Sequence, residues 1–296
     1  MAAKVIVAGA TGNLGTRIVK ELIARGADVT ALGRQGSSED KLQAIRDLGA
    51  GVALVDMASP DTVAEACAGA ACLVSAVQGL RDVIVASQTT LLNAAVAAGV
   101  PRFIPSDFSV DFTKLTDGEN RNFDLRREFH ERLNPAPIAA TSIFNGAFAD
   151  VLNYNLPLLD FDKKIVGYWG DPDWKIDFTT MDNTAAYTAA AALDASTPKA
   201  LHIASFQVSA SDLVKFTEET LKTPFALVRL GSVDDLGAAN KRERAAHPEG
   251  EKDLYSSWQQ AQYLHSMFSA HNETLDNARY PGIEWTTLAE WIKPRS

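Results

Sequence analysis

The sequence predicts an α/β fold: a doubly wound parallel sheet joined to a smaller, mostly helical C-terminal unit. Three observations predict it. Short apolar runs alternate five times with helical stretches in the first half, as in parallel strands linked by right-handed crossovers. A glycine-rich turn directly follows the first apolar run. The last third changes to helices with charged faces and broad apolar stripes.

The elements of the first half follow from these patterns in order. The run Lys4–Ala8 predicts a buried strand, and apolar residues at 14, 18, 22 and 23 predict an amphipathic helix after it. Ser59 and Pro60 are typical of a helix cap and first helical position. An alanine-rich helix is predicted to end at Ala98. Further strands are predicted at residues 28–33, 51–55, 72–77, 101–105 and 138–143.

Three glycines spaced three apart stand between the first strand and the first helix. Without side chains, a bound pyrophosphate can approach the backbone, and the free N–H groups at the helix start favour an anion. A purely structural turn is the alternative, but the strand before it and the helix after it favour the dinucleotide-binding turn of a Rossmann fold. The cofactor-binding candidates here are Gly9, Thr11, Gly12, Asn13, Leu14 and Gly15.

The second strand is followed by Arg34, at the position where such folds contact the adenosine ribose. An acidic residue there would bind the free 2′-hydroxyl of NAD, whereas an arginine suits the 2′-phosphate of NADP. Ser37 and Lys41 add polar and positive character nearby. The sequence therefore predicts NADPH/NADP⁺ as cofactor, although a solvated arginine at a strand end is the simpler alternative.

The amino-acid composition narrows the classes of molecule that the protein is expected to bind. The 296 residues carry a net charge of −9, which argues against nucleic acid or an anionic membrane surface as the main partner. No apolar run approaches the roughly 20 residues of a membrane span, so we expect a cytoplasmic protein with a small-molecule substrate. Cys67 and Cys72 are expected to be packing residues. His265 and His271 lack ligand spacing, and no metal is expected.

Several motifs together resemble the NmrA-like and isoflavone reductase-like family of atypical short-chain dehydrogenases/reductases. They are Gly9-Ala-Thr-Gly-Asn-Leu-Gly15, Arg34 followed by serines, Ser75-Ala-Val-Gln-Gly79, Arg102-Phe-Ile-Pro-Ser-Asp-Phe108, Thr141-Ser-Ile-Phe-Asn-Gly-Ala-Phe148 and Arg279-Tyr-Pro-Gly-Ile-Glu-Trp-Thr-Thr287. The resemblance spans essentially the whole chain. It implies NADPH bound across the first half, with Asp56 near the adenine and Phe144 near the nicotinamide. Further cofactor contacts are expected from Ser75, Ala76, Val77, Gln78, Ser106, Asp107 and Phe108.

The candidate catalytic residues depart from the usual patterns. No tyrosine is followed four residues later by lysine, so the Tyr-x-x-x-Lys pair of ordinary short-chain dehydrogenases is missing. In reductases of the resembling family a helix lysine acts as acid or base, and Arg126 stands at its position. Arginine polarises a carbonyl but is a poor proton shuttle, so the proton is expected from water or from His130, one helical turn on. Alternatively, both side chains belong to a solvated helix face.

In the second half, segments 163–169 and 174–178 are predicted to form a hairpin around Gly170-Asp-Pro-Asp173. Tyr168 and Trp169 suit either a substrate pocket or the core. Asp182 is expected to cap a helix that ends at Leu193, with a strand at 201–203 and helices at 211–222, 233–246 and 254–270. The predicted NADP-binding domain comprises residues 1–152 and about 180–204, and the substrate unit residues 153–179 and 205–296.

The predicted function is an NADPH-dependent reductase that transfers hydride to a small aromatic or conjugated carbonyl-type substrate. The loss of the family lysine keeps a second hypothesis open: a non-catalytic NADP(H)-binding redox sensor that binds a protein partner. A homodimer is compatible with both hypotheses.

Overall fold

A six-stranded parallel sheet forms the centre of the molecule, with strand order β3-β2-β1-β4-β5-β6. The computed structural model describes residues 2–57, 59–154 and 156–292. The strands are β1 Lys4–Ala8, β2 Asp28–Arg34, β3 Gly51–Val55, β4 Cys72–Ser75, β5 Arg102–Ile104 and β6 Ala139–Ala140. The connecting helices are α1 Asn13–Ala24, α2 Glu39–Asp47, α3 Pro60–Cys67, α4 Gln88–Ala97 and α5 Arg121–Leu133. This order confirms the predicted doubly wound sheet.

The remaining elements form three small sheets and five helices in the described part of the chain. They are β7 Ser142–Phe144, β8 Ala147–Phe148, β9 Ile165–Trp169, β10 Ile176–Thr179, α6 Met181–Leu193, β11 Ala200–His202, β12 Phe206–Val208, α7 Ala210–Glu219, β13 Ala226–Gly231, α8 Val233–Ala246, α9 Ser257–Met267 and α10 Leu288–Trp291. β7 pairs with β11, β10 lies between β12 and β8, and β13 pairs with β9.

Each face of the central sheet buries its own apolar cluster. One cluster joins α1 and α6 to the sheet through Ile18 and Tyr187, both fully buried. The other joins α3, α4 and α5 through Val63, Leu91 and Phe129. A third cluster, from Ala149 to Ile292, lies among the elements of the second half. Strands that are buried on both faces of a parallel sheet have continuously apolar sequences. The apolar runs of the first half therefore predict parallel strands.

Two local predictions are wrong. The segments predicted as a hairpin do form β9 and β10, but β9 pairs in parallel with β13 and β10 pairs with β12 and β8. Asp182 does not cap α6: Thr180 does, through its side-chain oxygen, which accepts the Asn183 N–H over 3.1 Å. Asp182 instead lies in the first turn and pairs with Arg17 at 2.7 Å.

Other predicted elements differ in their bounds or are divided. Pro60 occupies the first turn of α3 as predicted, but the Ser59 side chain makes no capping hydrogen bond. The helix predicted to end at Ala98 begins with a π-helical turn, Asp82–Ser87. The predicted strand at 138–143 is divided into β6 and β7, and the helix predicted at 254–270 spans Ser257–Met267.

Four side chains for which packing was the expected role, or one of two alternatives, pack within or against the apolar clusters. Trp169 makes an edge contact with Phe268 at 5.4 Å, and Tyr168 packs on the same third cluster. Cys67 and Cys72 are buried, and burial raises the thiol pKa of Cys67 to about 11 and of Cys72 to about 12. These positions favour the packing alternative for Tyr168 and Trp169 and agree with the packing role expected of Cys67 and Cys72. The predicted division into two domains stays a prediction.

Candidate cofactor and substrate site

A groove of about 540 Å³ lies at the carboxyl ends of the central strands. In an open parallel sheet this is the edge at which ligands bind. Thirteen predicted residues line it: Gly9, Thr11, Gly12, Asn13, Leu14, Arg34, Ser37, Ala76, Val77, Gln78, Ser106, Phe108 and Arg126. The fold thus brings residues from five separate segments into one continuous cleft.

The glycine turn forms the floor of the groove. Gly9 has φ +78°, and a Cβ there would lie 2.4 Å from the Ala76 carbonyl oxygen. The backbone just after β4 therefore requires a glycine at this position. Gly12 is the N-cap of α1, and neither a side-chain cap nor an acidic residue occupies the first turn. The helix start is left open for an anion.

Gly15 has a different role from the other two glycines. It is buried and does not line the groove, and a Cβ on it would lie 2.1 Å from the Gly9 carbonyl oxygen. Its missing side chain lets α1 pack closely against the turn. The third glycine of the motif thus serves helix packing.

Arg34 lines the groove at the end of β2. Its side chain is exposed and makes no hydrogen bond or ion pair within the described ranges. Its backbone N–H donates to the Ser37 hydroxyl over 3.1 Å, which fixes the turn after β2. A free guanidinium beside a hydroxyl suits a phosphate monoester.

The opposite end of the groove is built around Arg126. Its Nε donates to the Ser106 carbonyl oxygen over 3.0 Å and its Nη1 to the Asn122 carbonyl oxygen over 2.8 Å. Within the described part of the chain, Nη2 donates no hydrogen bond, so this amino group is available to a ligand. Phe108 lines the same end. The guanidinium is therefore fixed in direction, with its Nη2 amino group left over.

A buried polar network lies behind Arg126. His130 Nε2 is 2.7 Å from Asp107 Oδ2, and the Ser142 hydroxyl donates to the same oxygen over 2.7 Å. Burial disfavours the charged imidazolium and Arg126 opposes it, but the Asp107 carboxyl group outweighs both and raises the pKa of His130. Asp107 is fully buried. The network holds the loop after β5 beneath the groove.

Seven predicted site residues do not line the groove. Gly15 and Ser75 are buried beneath the turn, Lys41 is exposed on α2, and Asp56 lies just past β3. Asp107 and His130 form the network behind Arg126, and Phe144 packs against Phe112 and His202 in the interior. For these residues a role in contact with a ligand stays a prediction.

Sequence reasoning missed several residues of the groove. They are Ala8, Leu32, Gly33, Val55, Met57, Val83, Ser87, Leu91, Phe148, Met181 and Tyr255. Five of them, from Ala8 to Met57, lie at or just past the end of a predicted strand, so the strand ends carried a signal. Tyr255 carried none, because it reaches the groove from a segment far along the chain, where its hydroxyl contacts the Gln78 amide.

The residues present fit a dinucleotide phosphate cofactor. The glycine turn leaves space that a Cβ at Gly9 would close, the start of α1 is uncapped, and Arg34 offers an unpaired cation where a 2′-phosphate would lie. Among the described residues, no group of three or more His, Cys, Asp and Glu side chains could hold a metal ion. The helices of that part of the chain also lack the length and apolar character to cross a membrane.

The sheet order and the glycine-lined groove define a dinucleotide-binding protein of the Rossmann type. The NmrA-like family model matches residues 1–237, and the chain belongs to this family. The predicted family resemblance is confirmed.

Relatives and solved structures agree with this assignment. Pinoresinol reductase 1 of Arabidopsis thaliana is 30% identical over 200 residues, 63% of this chain and 63% of the relative. The chain thus matches less than two thirds of that relative's length. A crystal structure of isoflavone reductase superimposes with TM-score 0.81 at 18% identity, covering 98% of both chains. The leucoanthocyanidin reductase–NADPH complex from Vitis vinifera gives 0.79 at 20% identity, covering 97% of both.

Proposed function

We propose that the protein is an NADPH-dependent reductase acting on a small aromatic or conjugated carbonyl-type substrate. The observation that carries this proposal is the continuous groove from Arg34 through the glycine turn to Arg126. Further support comes from relatives that are reductases by name and from a similar structure that was solved with NADPH. The cytoplasm is the proposed compartment.

The glycine turn and the start of α1 would hold the pyrophosphate through backbone N–H groups. Arg34 and Ser37 would hold the 2′-phosphate, and Ala76, Val77 and Gln78, which line the groove, would add further contacts to the cofactor. NADPH, when bound, supplies the hydride. The remaining residues bind and orient the two reactants and exclude water from the space between them.

Arg126 would stabilise negative charge on the substrate oxygen. Its hydrogen bonds to the carbonyl groups of Ser106 and Asn122 fix the guanidinium, and Nη2 is left to contact the substrate. A donor that is oriented before the reaction begins stabilises developing charge without further reorganisation. Because a guanidinium does not release its proton, the proton must come from another group.

The substrate class follows from the lining at this end. Phe108, Phe148 and Tyr255 supply aromatic surface, and Met181 supplies a flexible apolar contact. Such a lining suits a flat conjugated or aromatic molecule better than a sugar. The relatives of the chain include a pinoresinol reductase and a bifunctional pinoresinol-lariciresinol reductase.

A redox sensor is the second candidate. The observation that favours it is the arginine at the position where the resembling reductases carry a lysine. A sensor would bind the cofactor in this groove without turning it over, and would transmit its redox state to a protein partner or a second copy of the chain.

Cofactor titration and turnover distinguish the two. NADPH and NADP⁺ binding are followed by fluorescence, and NADPH oxidation by its near-ultraviolet absorbance with a panel of enones, quinones and aromatic aldehydes. For a reductase we expect turnover that falls about 10²-fold or more in Arg126→Ala, as for loss of an oxyanion donor. Arg132→Ala on the same helix is the matched control, since Arg132 contacts only Glu128 in the described chain. Tight, redox-selective cofactor binding without turnover would establish the sensor instead.

A further inference from the structure

We propose that Tyr255 is the proton donor of the reductase reaction, placed over the substrate end of the groove by the C-terminal unit. This inference rests on the proposed reductase function. The reaction needs a separate proton donor because Arg126 stabilises charge but cannot give up a proton.

Tyr255 reaches the groove from a segment outside the central sheet. It lines the cleft together with Arg126 and is 47% exposed, so its ring projects into the open space rather than into the core. Its hydroxyl contacts the Gln78 side-chain amide, which follows β4 on the opposite wall. The phenol thus spans the groove at the end where Arg126 lies.

The segment before Tyr255 is held by a buried arginine at the start of α5. Arg121 donates to the carbonyl oxygens of Gly250, Asp253 and Leu254 over 2.9, 3.0 and 3.2 Å. Its guanidinium also lies 4.8 Å from the centre of the Trp258 ring. A side chain only 6% exposed therefore fixes three carbonyl groups of the segment before Tyr255.

The backbone of Tyr255 is held on both sides. Its N–H donates to Asp253 Oδ1 over 3.0 Å, and its carbonyl oxygen accepts from Gln260 Nε2 over 2.8 Å. Asn122 Nδ2 additionally donates to the Leu254 carbonyl oxygen over 3.4 Å. A residue fixed in this way is positioned for a single geometry, which is what proton transfer requires.

The surroundings keep the phenol protonated and also support its anion. Burial and the neighbouring Tyr263 raise the pKa of Tyr255, while Arg126 and the Gln78 amide act against that rise. At neutral pH the hydroxyl therefore carries its proton. Once the proton is transferred, the Arg126 guanidinium and the Gln78 amide donor stabilise the phenolate.

Proton transfer from Tyr255 complements the hydride that NADPH would supply in the proposed reaction. Hydride adds to the electrophilic carbon of the substrate as the C–H bond at the nicotinamide breaks, so the substrate is reduced and NADPH is oxidised to NADP⁺. The electron pair of the conjugated carbonyl moves to its oxygen, which takes the proton from Tyr255 Oη. Water then returns a proton to the phenolate.

Two other groups are less suited to this role. His130 does not line the groove and faces the buried Asp107 carboxyl group. The Tyr263 hydroxyl accepts a hydrogen bond from Asn122 Nδ2 over 2.8 Å, and this tyrosine also lies outside the lining.

The test compares Tyr255→Phe with Tyr154→Phe, a control whose ring is 68% exposed. Phenylalanine keeps the ring over the groove and removes only the hydroxyl. We expect single-turnover NADPH oxidation to fall about 10²-fold or more in Tyr255→Phe. The NADPH dissociation constant, measured by fluorescence, should change by less than about twofold. Tyr154→Phe should match the wild type in both.

A second measurement needs no turnover. The tyrosinate absorbance of the cofactor-free wild type, minus that of Tyr255→Phe, reports ionisation of this phenol. We expect ionisation above the ordinary tyrosine range, and at still higher pH in Arg126→Ala. A phenol ionised at neutral pH would overturn the inference, because it would have no proton to give.

The activity outcomes separate this inference from the function on which it rests. A wild-type protein that turns over while Tyr255→Phe retains its rate overturns only the proton donor. A wild-type protein that binds NADPH tightly and reduces nothing overturns the reductase and the proton donor together. A variant that loses NADPH binding instead assigns Tyr255 to cofactor retention, which also overturns the inference.

Discussion

Replacing Gly15 with alanine should destabilise the protein strongly, because the new Cβ meets only backbone. It would lie 2.1 Å from the Gly9 carbonyl oxygen, 2.7 Å from the Gly9 carbonyl carbon and 2.9 Å from Ala10 Cα. Relief requires a movement of roughly 1 Å between α1 and the turn in a tightly packed interior. Overpacking costs about 1–3 kcal/mol, and we expect the upper end because no side chain can rotate away. The midpoint of thermal unfolding should fall by roughly 5–10 °C.

Thermal unfolding by circular dichroism and NADPH titration by fluorescence test this. Gly282→Ala is the neutral control, since a Cβ there would meet nothing within 4 Å. In Gly12→Ala the Cβ would touch only the Gly9 carbonyl oxygen, at 3.2 Å. That variant should keep its midpoint yet bind NADPH more weakly, because Gly12 lines the groove. A Gly15→Ala midpoint within about 2 °C of wild type would refute the packing role.

Two further predictions concern charge. Arg34→Ala should weaken NADPH binding about 10–100-fold, from the loss of charge-assisted hydrogen bonds worth about 1.5–3 kcal/mol, and leave NADH binding unchanged. Fluorescence titration with both cofactors measures this, and equal weakening of both would contradict it. His130→Gln tests the pair with Asp107, which raises the pKa of His130 despite burial. The charged pair should stabilise the wild type fully below the unfolded histidine pKa of about 6.5 and lose that effect as pH rises through the higher folded pKa. Urea unfolding should therefore show a larger wild-type advantage at low pH than at high pH, and a pH-independent difference would count against it.

The parts of the fold that the sequence predicts are those set by local patterns. The first strand, the glycine turn and the amphipathic helix after it were predicted from about twenty consecutive residues. They also supply five of the groove-lining positions, from Gly9 to Leu14. Turn chemistry, strand polarity and helix periodicity all act within this range of sequence.

The wrong hairpin shows where local patterns fail. Gly170-Asp-Pro-Asp173 does form a turn between two strands, with φ +71° at Gly170. However, β9 pairs with β13, which lies some sixty residues further along the chain. Strand partners are chosen by burial and side-chain packing, and these depend on distant segments.

The candidate site shows a second limit of prediction from local patterns. They do not show whether a side chain faces the groove or the interior. Asp107, His130 and Phe144 lie in motifs that do approach the groove, yet their side chains point into the interior. Ser106 and Phe108, the immediate neighbours of Asp107, line the groove. Adjacent residues therefore differ in function by the direction of one side chain, which a motif does not record.

Helix α5 connects the two halves of the proposed chemistry. Its first turn carries Arg121, which fixes the loop before Tyr255, and its next turn carries Arg126, which faces the groove. The groups proposed to stabilise charge and to donate the proton are thus both positioned by one rigid element. In a protein with a lysine at position 126, a single side chain could serve both roles. With an arginine there, the proton must come from a second group. Tyr255 is held at that end of the groove by the C-terminal part of the chain, and its hydroxyl is the group proposed to supply the proton.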